Sequence, residues 1–346
     1  MKAVRNILFG LCVIGAIFWY YYKDEFTIKN VIENIGDNTS LVNRETTFQV
    51  SNCLSEPFKS DIVDELFDEI KNTYKNHGIA VSFKDLNNNY ELNFNEKKIY
   101  YSASASKVFD VIYLLENNID LTESLVYRPD IDMKGSVGMK KHKYYDKVTL
   151  LELITHLLRY SDNTAHYMLI EYIGVNNLRN YFKEYNLNIN EADPFVSNYT
   201  ATLARASIER LYSLLNSDNE DYKTIKDSMI NNNMNSLNFD NVLINHKYGW
   251  YESTYHDVGF YDSDNPYVIA VLTTSGNGDY NYIVNDISKK IYNIYSKNLE
   301  LKKTFERRFY FLQTENDQNT SQSFRYFRKI QSHDYRFPFR SCPADT

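Results

Sequence analysis

The pattern of apolar and polar positions predicts regular elements from about residue 60 onward. Ser60 caps an amphipathic helix, "DIVDELFDEIKNTYKNHG", which Gly78 closes. The segments "IAVSF" and "YELNF" flank the turn-rich "KDLNNN" and predict a β-hairpin. After residue 240, "VLINHKYGWY", "HDVGFYD" and "PYVIAVLTT" predict three more strands, and a last helix is expected over about 280–297.

The middle of the chain is mostly helical. Thr149 and Glu152 form a capping box for "LLELITHLLRY", and "TAHYMLIEYI" starts just after Asn163. Two more helices are expected near 176–185 and 201–215. Strands and a helix at both ends therefore bracket a helical insert. This order predicts an α+β fold, with an antiparallel sheet flanked by helices and an all-helical subdomain inserted between its parts.

A basic flank and an apolar run open the chain. Lys2 and Arg5 precede the run over 7–22, which ends in "FWYYY". The positive flank and the aromatic cluster predict an uncleaved signal-anchor over 1–23, with the rest of the protein extracytoplasmic at the cell membrane. The run is short for a membrane span, so a signal peptide is the alternative, although no small-residue cleavage site follows it.

The segments on either side of the predicted domain differ from it in composition. Residues 24–58 are polar and irregular and are interpreted as a linker, followed by one domain over 59–298. Residues 299–346 carry the aromatic-basic clusters "RRFYF" and "FRYFRK" and are expected to form a basic, disordered tail. Contact of this tail with an anionic wall polymer or membrane is the alternative.

Composition narrows the function classes. The formal net charge of −7 over 346 residues gives no reason to expect a nucleic-acid partner. Three scattered cysteines, Cys12, Cys53 and Cys342, are too few for a disulfide framework or a metal site, although a Cys53–Cys342 pair stays open. No metal or cofactor is expected, and the protein is expected to be a monomer.

The stretch "SASASK" directly precedes the apolar helix "VFDVIYLL". Ser104 and Lys107 form a Ser-x-x-Lys motif, which places a hydroxyl and an amine one helical turn apart. At a helix N-terminus the free N–H groups can stabilise an oxyanion, and a buried lysine can accept the serine proton. An ordinary helix start is the alternative, because serine is a preferred N-cap.

Two further motifs carry candidate chemistry. Ser-Asp-Asn occurs three times, but only Ser161–Asn163 falls between two apolar helices, whereas the copies at 217–219 and 263–265 are typical turns. In "HKYGWY", Lys247 and Gly249 lie on a predicted strand, where glycine is a weakening choice. Close approach of a ligand would explain this glycine, and a bulge is the alternative.

The order Ser-x-x-Lys, Ser-Asp-Asn, Lys-x-Gly resembles the class A β-lactamases and penicillin-binding proteins. The segments "LTESLVY", "KGSVGM", "VTLLELITHLLRYSDNTAHYMLIEYIG" and "HDVGFY" are also similar to that family, so the resemblance covers about 60–297. It implies that Ser104 is the acylated nucleophile and Lys107 its proton acceptor. It also implies that Ser161 relays a proton to the leaving nitrogen, Asn163 holds a substrate amide and Lys247 attracts the substrate carboxylate.

The resemblance also implies an oxyanion hole made by the backbone N–H groups of Ser104 and Trp250, beside Gly249. Ser102 and Ser106 would be spacers whose small side chains admit substrate. Folding is expected to bring Ser104 Oγ within about 3 Å of the Lys107 amine, with Ser161 and Lys247 lining the same cleft.

Two departures from the family pattern affect the chemistry. Tyr248 stands where the family has a small hydroxyl residue, and the loop that carries the deacylating glutamate is shortened. Glu184 in "EYNLN" is a candidate for that base, "INEA" at 189–192 competes for the alignment, and Glu184 is otherwise a solvated helix acid. The acyl-enzyme is therefore expected to form faster than it is hydrolysed, so the adduct should persist.

These observations predict a serine acyl-hydrolase that forms an acyl-enzyme with β-lactams or the D-alanyl amides of peptidoglycan stem peptides. The N-terminal segment would anchor it to the membrane. A catalytically silent wall-binding or regulatory module is the alternative from another class, and the altered Tyr248 also fits an esterase on the same fold.

Overall fold

The structure is a computed structural model of the chain, and it describes residues 61–316 except 89, 186, 188–194, 233 and 275–280. The chain divides into two units, and all described residues belong to the second, Cys53–Thr346. The predicted anchor (1–23), the linker (24–58) and the end of the chain from residue 317 lie outside the described residues.

The elements follow one another in a helix–hairpin–helices–strands–helix order. The helices are α1 (Asp61–Thr73), α2 (Val108–Glu116), α3 (Leu150–Tyr160), α4 (Asn163–Ile173), α5 (Val175–Glu184), α6 (Ala201–Leu214), α7 (Glu220–Ile230) and α8 (Asn281–Asn316). The strands are β1 (Gly78–Asp85), β2 (Glu91–Phe94), β3 (Ser124–Val126), β4 (Lys147–Thr149), β5 (Asn245–Tyr251), β6 (Thr254–Tyr261) and β7 (Tyr267–Thr274). Short 3-10 helices span Ala103–Lys107, Pro129–Ile131 and Met139–Lys141.

One sheet unites both ends of the domain. Its strand order is β2-β1-β7-β6-β5, and every neighbouring pair is antiparallel. Strands β1 and β7 pair along their full length, from Gly78 opposite Thr274 to Asp85 opposite Tyr267. The predicted α+β fold, in which an antiparallel sheet is completed around a helical insert, is confirmed.

The sheet has its apolar core against the terminal helices. Helix α1 buries Val63, Leu66 and Ile70 at helical spacing, and α8 buries residues such as Ile283 and Ile287 in the same cluster. Helix α6 packs against β1, β6 and β7. Strand β1 is buried along nearly its whole length, as expected when both faces of a sheet are covered.

Helix α2 is the centre of the helical subdomain. It is apolar on nearly every side, which is typical of a helix surrounded by others, and it contacts α4, α5 and α6. The 3-10 helix Ala103–Lys107 leads directly into it and lies against β5 and β6. The first motif is thereby held between the sheet and the helices.

Some elements differ from the prediction. Helix α7 was not predicted, because "EDYKTIKDSMI" has no clear apolar stripe. Helix α1 ends at Thr73, and Gly78 instead opens β1. The last helix continues to Asn316, well past residue 297. Among the described residues, none of the helices combines the length and apolar character that a membrane crossing requires.

Candidate active site

Ser104 lies in the 3-10 helix at the entrance to α2. Residues three apart in a 3-10 helix are aligned, so Ser104 and Lys107 lie on the same side. Ser104 is half-buried, whereas Lys107 is fully buried. The preceding Ala103 has a φ of 45°, a left-handed conformation that costs energy for a residue with a Cβ and is common at functional sites.

The Lys107 amine is held by the corner between α3 and α4. Its Nζ donates to the carbonyl of Ser161 at 2.7 Å and to Asn163 Oδ1 at 2.7 Å, with the Asp162 carbonyl farther away at 3.4 Å. The expected hydrogen bond to Ser104 Oγ is not formed within the described part of the chain. Burial lowers the pKa of Lys107 to about 7, although Asp110 and Asp162 raise it.

These contacts suit a neutral amine. Each of the two short bonds ends on an oxygen that can only accept, so they use two N–H groups of Lys107. A neutral amine has two N–H groups and one lone pair. In the neutral form of Lys107, this lone pair can accept the proton of a serine on the same side of the helix.

The Ser161 corner is fixed by its neighbours. Ser161 adopts a left-handed conformation at the end of α3, with φ 55°. Asp162 caps α4 by accepting from Ala165 N at 3.0 Å, and it also accepts from Met139 N at 2.9 Å. Asn163 donates from Nδ2 to the Lys134 carbonyl at 2.7 Å. Both ends of the motif are thereby oriented.

The other two Ser-Asp-Asn copies have structural roles. Asn219 caps α7 by accepting from Asp221 N at 2.8 Å. Ser263 accepts from Asn265 N at 3.2 Å in the turn before β7. Their positions agree with the interpretation of these copies as turns.

Lys247 reaches the same corner from β5. Its Nζ donates to Ser161 Oγ at 2.7 Å and lies 4.4 Å from the centre of the Tyr248 ring. Burial, and then the neighbouring Lys107, lower the pKa of Lys247 well below its usual value. A continuous set of polar contacts therefore connects Lys107, Ser161 and Lys247.

Gly249 allows β5 to lie directly against the 3-10 helix. A Cβ at this position would stand 2.4 Å from Ala105 N, 2.8 Å from the Ser102 carbonyl and 3.0 Å from Ser104 N. The close approach is therefore that of the protein's own backbone, rather than of a ligand or a bulge. Trp250, the next residue, is thereby brought beside the helix start.

Tyr248 and Trp250 differ in environment. The Tyr248 hydroxyl donates to the Tyr160 carbonyl at 3.4 Å, and burial raises the pKa of this phenol to about 12. Trp250 is 63% exposed. Beyond it, a cavity of about 260 Å³ is lined by Tyr101, Tyr251, Glu252, Ser253 and Thr254. Two of the residues that line this cavity, Tyr101 and Tyr251, are aromatic, and their ring centres lie 5.6 Å apart.

Ser102 and Ser106 are not spacers that admit substrate, because both side chains are buried. Ser102 Oγ lies 2.8 Å from Ser106 Oγ and accepts from Val196 N at 3.0 Å. The two serines therefore fix the segment after the shortened loop to the start of the helix.

The loop glutamate has no counterpart at the site within the described residues. Glu184 is exposed at the end of α5, as a solvated helix acid would be. Residues 189–192 lie outside the described residues. Phe195 is the loop residue beside the amine, with Lys107 Nζ 5.8 Å from its ring centre.

Sequence reasoning missed a buried pair beneath the site. Asp110 on α2 and His166 on α4 bond to each other, three residues beyond Lys107 and Asn163 respectively. A polar residue inside each apolar helix was the available signal. No group of three or more His, Cys, Asp or Glu side chains could hold a metal ion, as far as the described residues extend.

The fold is β-lactamase-like, and comparisons with known proteins identify the family. A sequence profile described as the Beta-lactamase enzyme family matches residues 62–295. The chain belongs to this family. No curated protein matches it.

Solved structures show the same fold at low identity. A mutant of PBP-A in an acyl-enzyme complex with penicillin G is 20% identical, with a TM-score of 0.60 over 70% of this chain and 99% of that one. A class A β-lactamase from Mycobacterium abscessus is 18% identical, with a TM-score of 0.58 over 68% and 99%. A β-lactamase from Burkholderia phymatum is 18% identical, with a TM-score of 0.56 over 68% and 99%.

Proposed function

We propose that the protein is a serine acyl-hydrolase that forms an acyl-enzyme at Ser104 with β-lactams or D-alanyl peptidoglycan amides. The observation that carries this proposal is the contact set between two buried lysines and Ser161. An amine whose pKa is lowered to about 7 can act as a general base near neutral pH.

In the proposed acylation, Ser104 Oγ bonds to the carbonyl carbon while its proton passes to Lys107 Nζ. The N–H groups of Ser104 and Trp250 stabilise the oxyanion. The C–N bond then breaks, and the leaving nitrogen takes a proton from Ser161 Oγ, which is replaced by the proton that Lys107 had accepted. Asn163 holds the substrate amide, and Lys247 attracts the substrate carboxylate.

Deacylation is proposed to be slow. It needs a base that deprotonates water beside the acyl carbon, and such help contributes about 10²- to 10⁴-fold. Glu184 is exposed, and Phe195 lies beside Lys107. The acyl-enzyme of PBP-A with penicillin G supports the view that this fold can retain a penicillin adduct.

Intact-protein mass spectrometry after incubation with benzylpenicillin tests the proposal. The wild-type protein should gain one penicillin mass, and Ser104→Ala should gain none. Ser106→Ala is the matched control, because its hydroxyl is buried, and it should still be acylated. No adduct on the wild-type protein with any β-lactam tested would favour a silent binding module.

Stopped-flow mixing with a chromogenic cephalosporin tests the order of the two rates. A stoichiometric burst followed by slow turnover is expected. Rapid steady turnover would show that the protein is an efficient β-lactamase.

The location is a further proposal. The sequence supports a single-pass anchor over 1–23 with the domain of 59–298 outside the cytoplasmic membrane. Cell fractionation with N-terminal peptide sequencing should find the protein in membranes with its first residues retained. A soluble form that starts after Lys23 would contradict the anchor.

A further inference from the structure

Asp110 and His166 face each other in the apolar floor beneath the cleft. His166 Nδ1 lies 2.5 Å from Asp110 Oδ2, and the side chains are 2% (His166) and 1% (Asp110) exposed. Within the part of the chain that the structure describes, His166 Nε2 is buried without a hydrogen-bond partner. Burying polar groups in this way costs free energy, and the proposed acylation assigns neither residue a role.

The pair lies beside the proposed base. Asp110 follows Lys107 by one turn of the same helical segment, so both side chains lie on one side. The His166 ring stacks on Phe195 with centres 5.3 Å apart, and Lys107 Nζ lies 5.8 Å from the centre of that same ring. The pair and the amine therefore share one buried compartment.

The charges that face Lys107 come from several elements. Asp110 on α2 and Asp162 at the corner raise its pKa. Lys247 on β5 meets the same corner, and the neighbouring Lys107 adds to the lowering of the Lys247 pKa that burial causes. Burial lowers the pKa of His166, and a neutral imidazole can donate Nδ1–H to the Asp110 carboxylate across this contact.

We propose that Asp110, paired with His166, stabilises the ammonium that forms on Lys107 when it accepts the Ser104 proton. This inference rests on the proposed acylation of Ser104. As the Oγ–C bond forms and the proton moves to Nζ, a cation appears opposite the Asp110 carboxylate. Asp110 and His166 are therefore positioning residues for acylation, and neither touches the substrate.

The test is the pH profile of acylation by a fluorescent penicillin in three variants. Asp110→Asn removes the charge, and His166→Leu removes the donor to Asp110. His166→Asn retains an N–H donor near the position of Nδ1. Asp227→Asn, an exposed acid paired with Arg159 on the surface, is the control.

In Asp110→Asn, the pH at which the acylation rate rises should be lower by about one unit, because an anion that raised the pKa of Lys107 is gone. The plateau rate should fall about 3- to 10-fold, since a weaker base accepts the proton less readily. His166→Leu should show the same shift in the pH profile of acylation as Asp110→Asn. His166→Asn and Asp227→Asn should show the wild-type profile.

If Asp110→Asn and His166→Leu both fold and show the wild-type pH profile of acylation, the role of the pair is refuted and the proposed function stands. A wild-type protein that no β-lactam acylates would overturn the proposed function itself. Should a variant fail to fold, ¹⁵N-histidine NMR of the wild-type protein decides. His166 should titrate below the ordinary histidine pKa of about 6.5, with its proton on Nδ1 in the neutral form, and titration at that ordinary value would refute the pair.

Discussion

Two buried lysines in this protein, Lys84 in the sheet and Lys107 in the cleft, have different partners. Lys84 is 2% exposed and Lys107 is 0% exposed. Lys84 Nζ lies 2.8 Å from one carboxylate oxygen of Glu209, and Arg205 contacts the other oxygen at 2.9 Å. Lys107 binds carbonyl and amide oxygens, and it forms no ion pair within the described residues.

The two lysines are buried to a similar extent, and they differ in the charge of the groups that contact them. Burial lowers the pKa of both lysines, but in Lys84 a carboxylate in direct contact opposes the shift. Among the described residues, the groups in direct contact with the Lys107 amine are neutral acceptors, and burial lowers the pKa of Lys107 to about 7. Removing one partner of a buried ion pair is expected to destabilise the fold, whereas a lysine held by neutral oxygens is suited to proton transfer.

The largest expected effect is on acylation in Lys107→Met. The rate should fall about 10²- to 10⁴-fold, because the general base is lost while the substitution keeps an unbranched, buried side chain. Stopped-flow acylation, with near-UV circular dichroism to verify the fold, measures this. Retention of the wild-type rate would remove Lys107 from the mechanism.

The matched change in the sheet, Lys84→Met, should affect stability instead. Unfolding should become easier by about 3 kcal/mol, at the low end for breaking a buried ion pair, because Arg205 still contacts Glu209. Urea denaturation measures the loss. Acylation should stay within about 3-fold of wild type, and a drop as large as in Lys107→Met would break the comparison.

Lys247→Met should weaken substrate capture. The loss of one charge-assisted hydrogen bond to a substrate carboxylate is worth about 1.5–3 kcal/mol, so the half-saturating concentration should rise about 10- to 100-fold. The concentration dependence of acylation measures it. A substrate analogue that lacks the carboxylate should lose this sensitivity, and an equal loss with both compounds would contradict the role.

The pH dependence should have a definite sign. Lys107 must be neutral to accept a proton, so acylation should rise with pH and reach half its maximum near pH 7. From there up to its unperturbed pKa of 10.5, the unfolded chain binds a proton that the folded lysine does not. The free energy of unfolding should therefore rise with pH across this window, more steeply than in Lys107→Met. Acylation and denaturation series across this range measure both.

The smallest expected effect is that of Glu184→Gln. An exposed acid at the end of α5 should leave both burst and steady turnover within about 2-fold of wild type. The same stopped-flow traces measure it. Collapse of turnover in this variant would mean that "EYNLN" supplies the deacylating base.

The order of the three motifs predicted that the Ser161–Asn163 corner belongs to the site, but it did not predict the hydrogen bonds that this corner makes. The capping box of Thr149 and Glu152 formed as predicted, because both partners lie within one turn. The hydrogen bond expected between Ser104 and Lys107 did not form, since the amine is satisfied by a corner 54 residues away in the chain. The missed helix α7 has a weak apolar pattern, so its position depends on packing against α3 and β5.

The sequence by itself determined the class of fold, the helix that follows Ser104 and the one Ser-Asp-Asn copy placed between apolar helices. These follow from periodicity, caps and turns, which act over a few residues. Tertiary structure alone decided that Gly249 meets the chain's own backbone, that Ser102 binds Val196, and that Asp110 pairs with His166. Each of these contacts joins segments distant in the chain, and only the packing of helices against the sheet brings them within hydrogen-bonding distance.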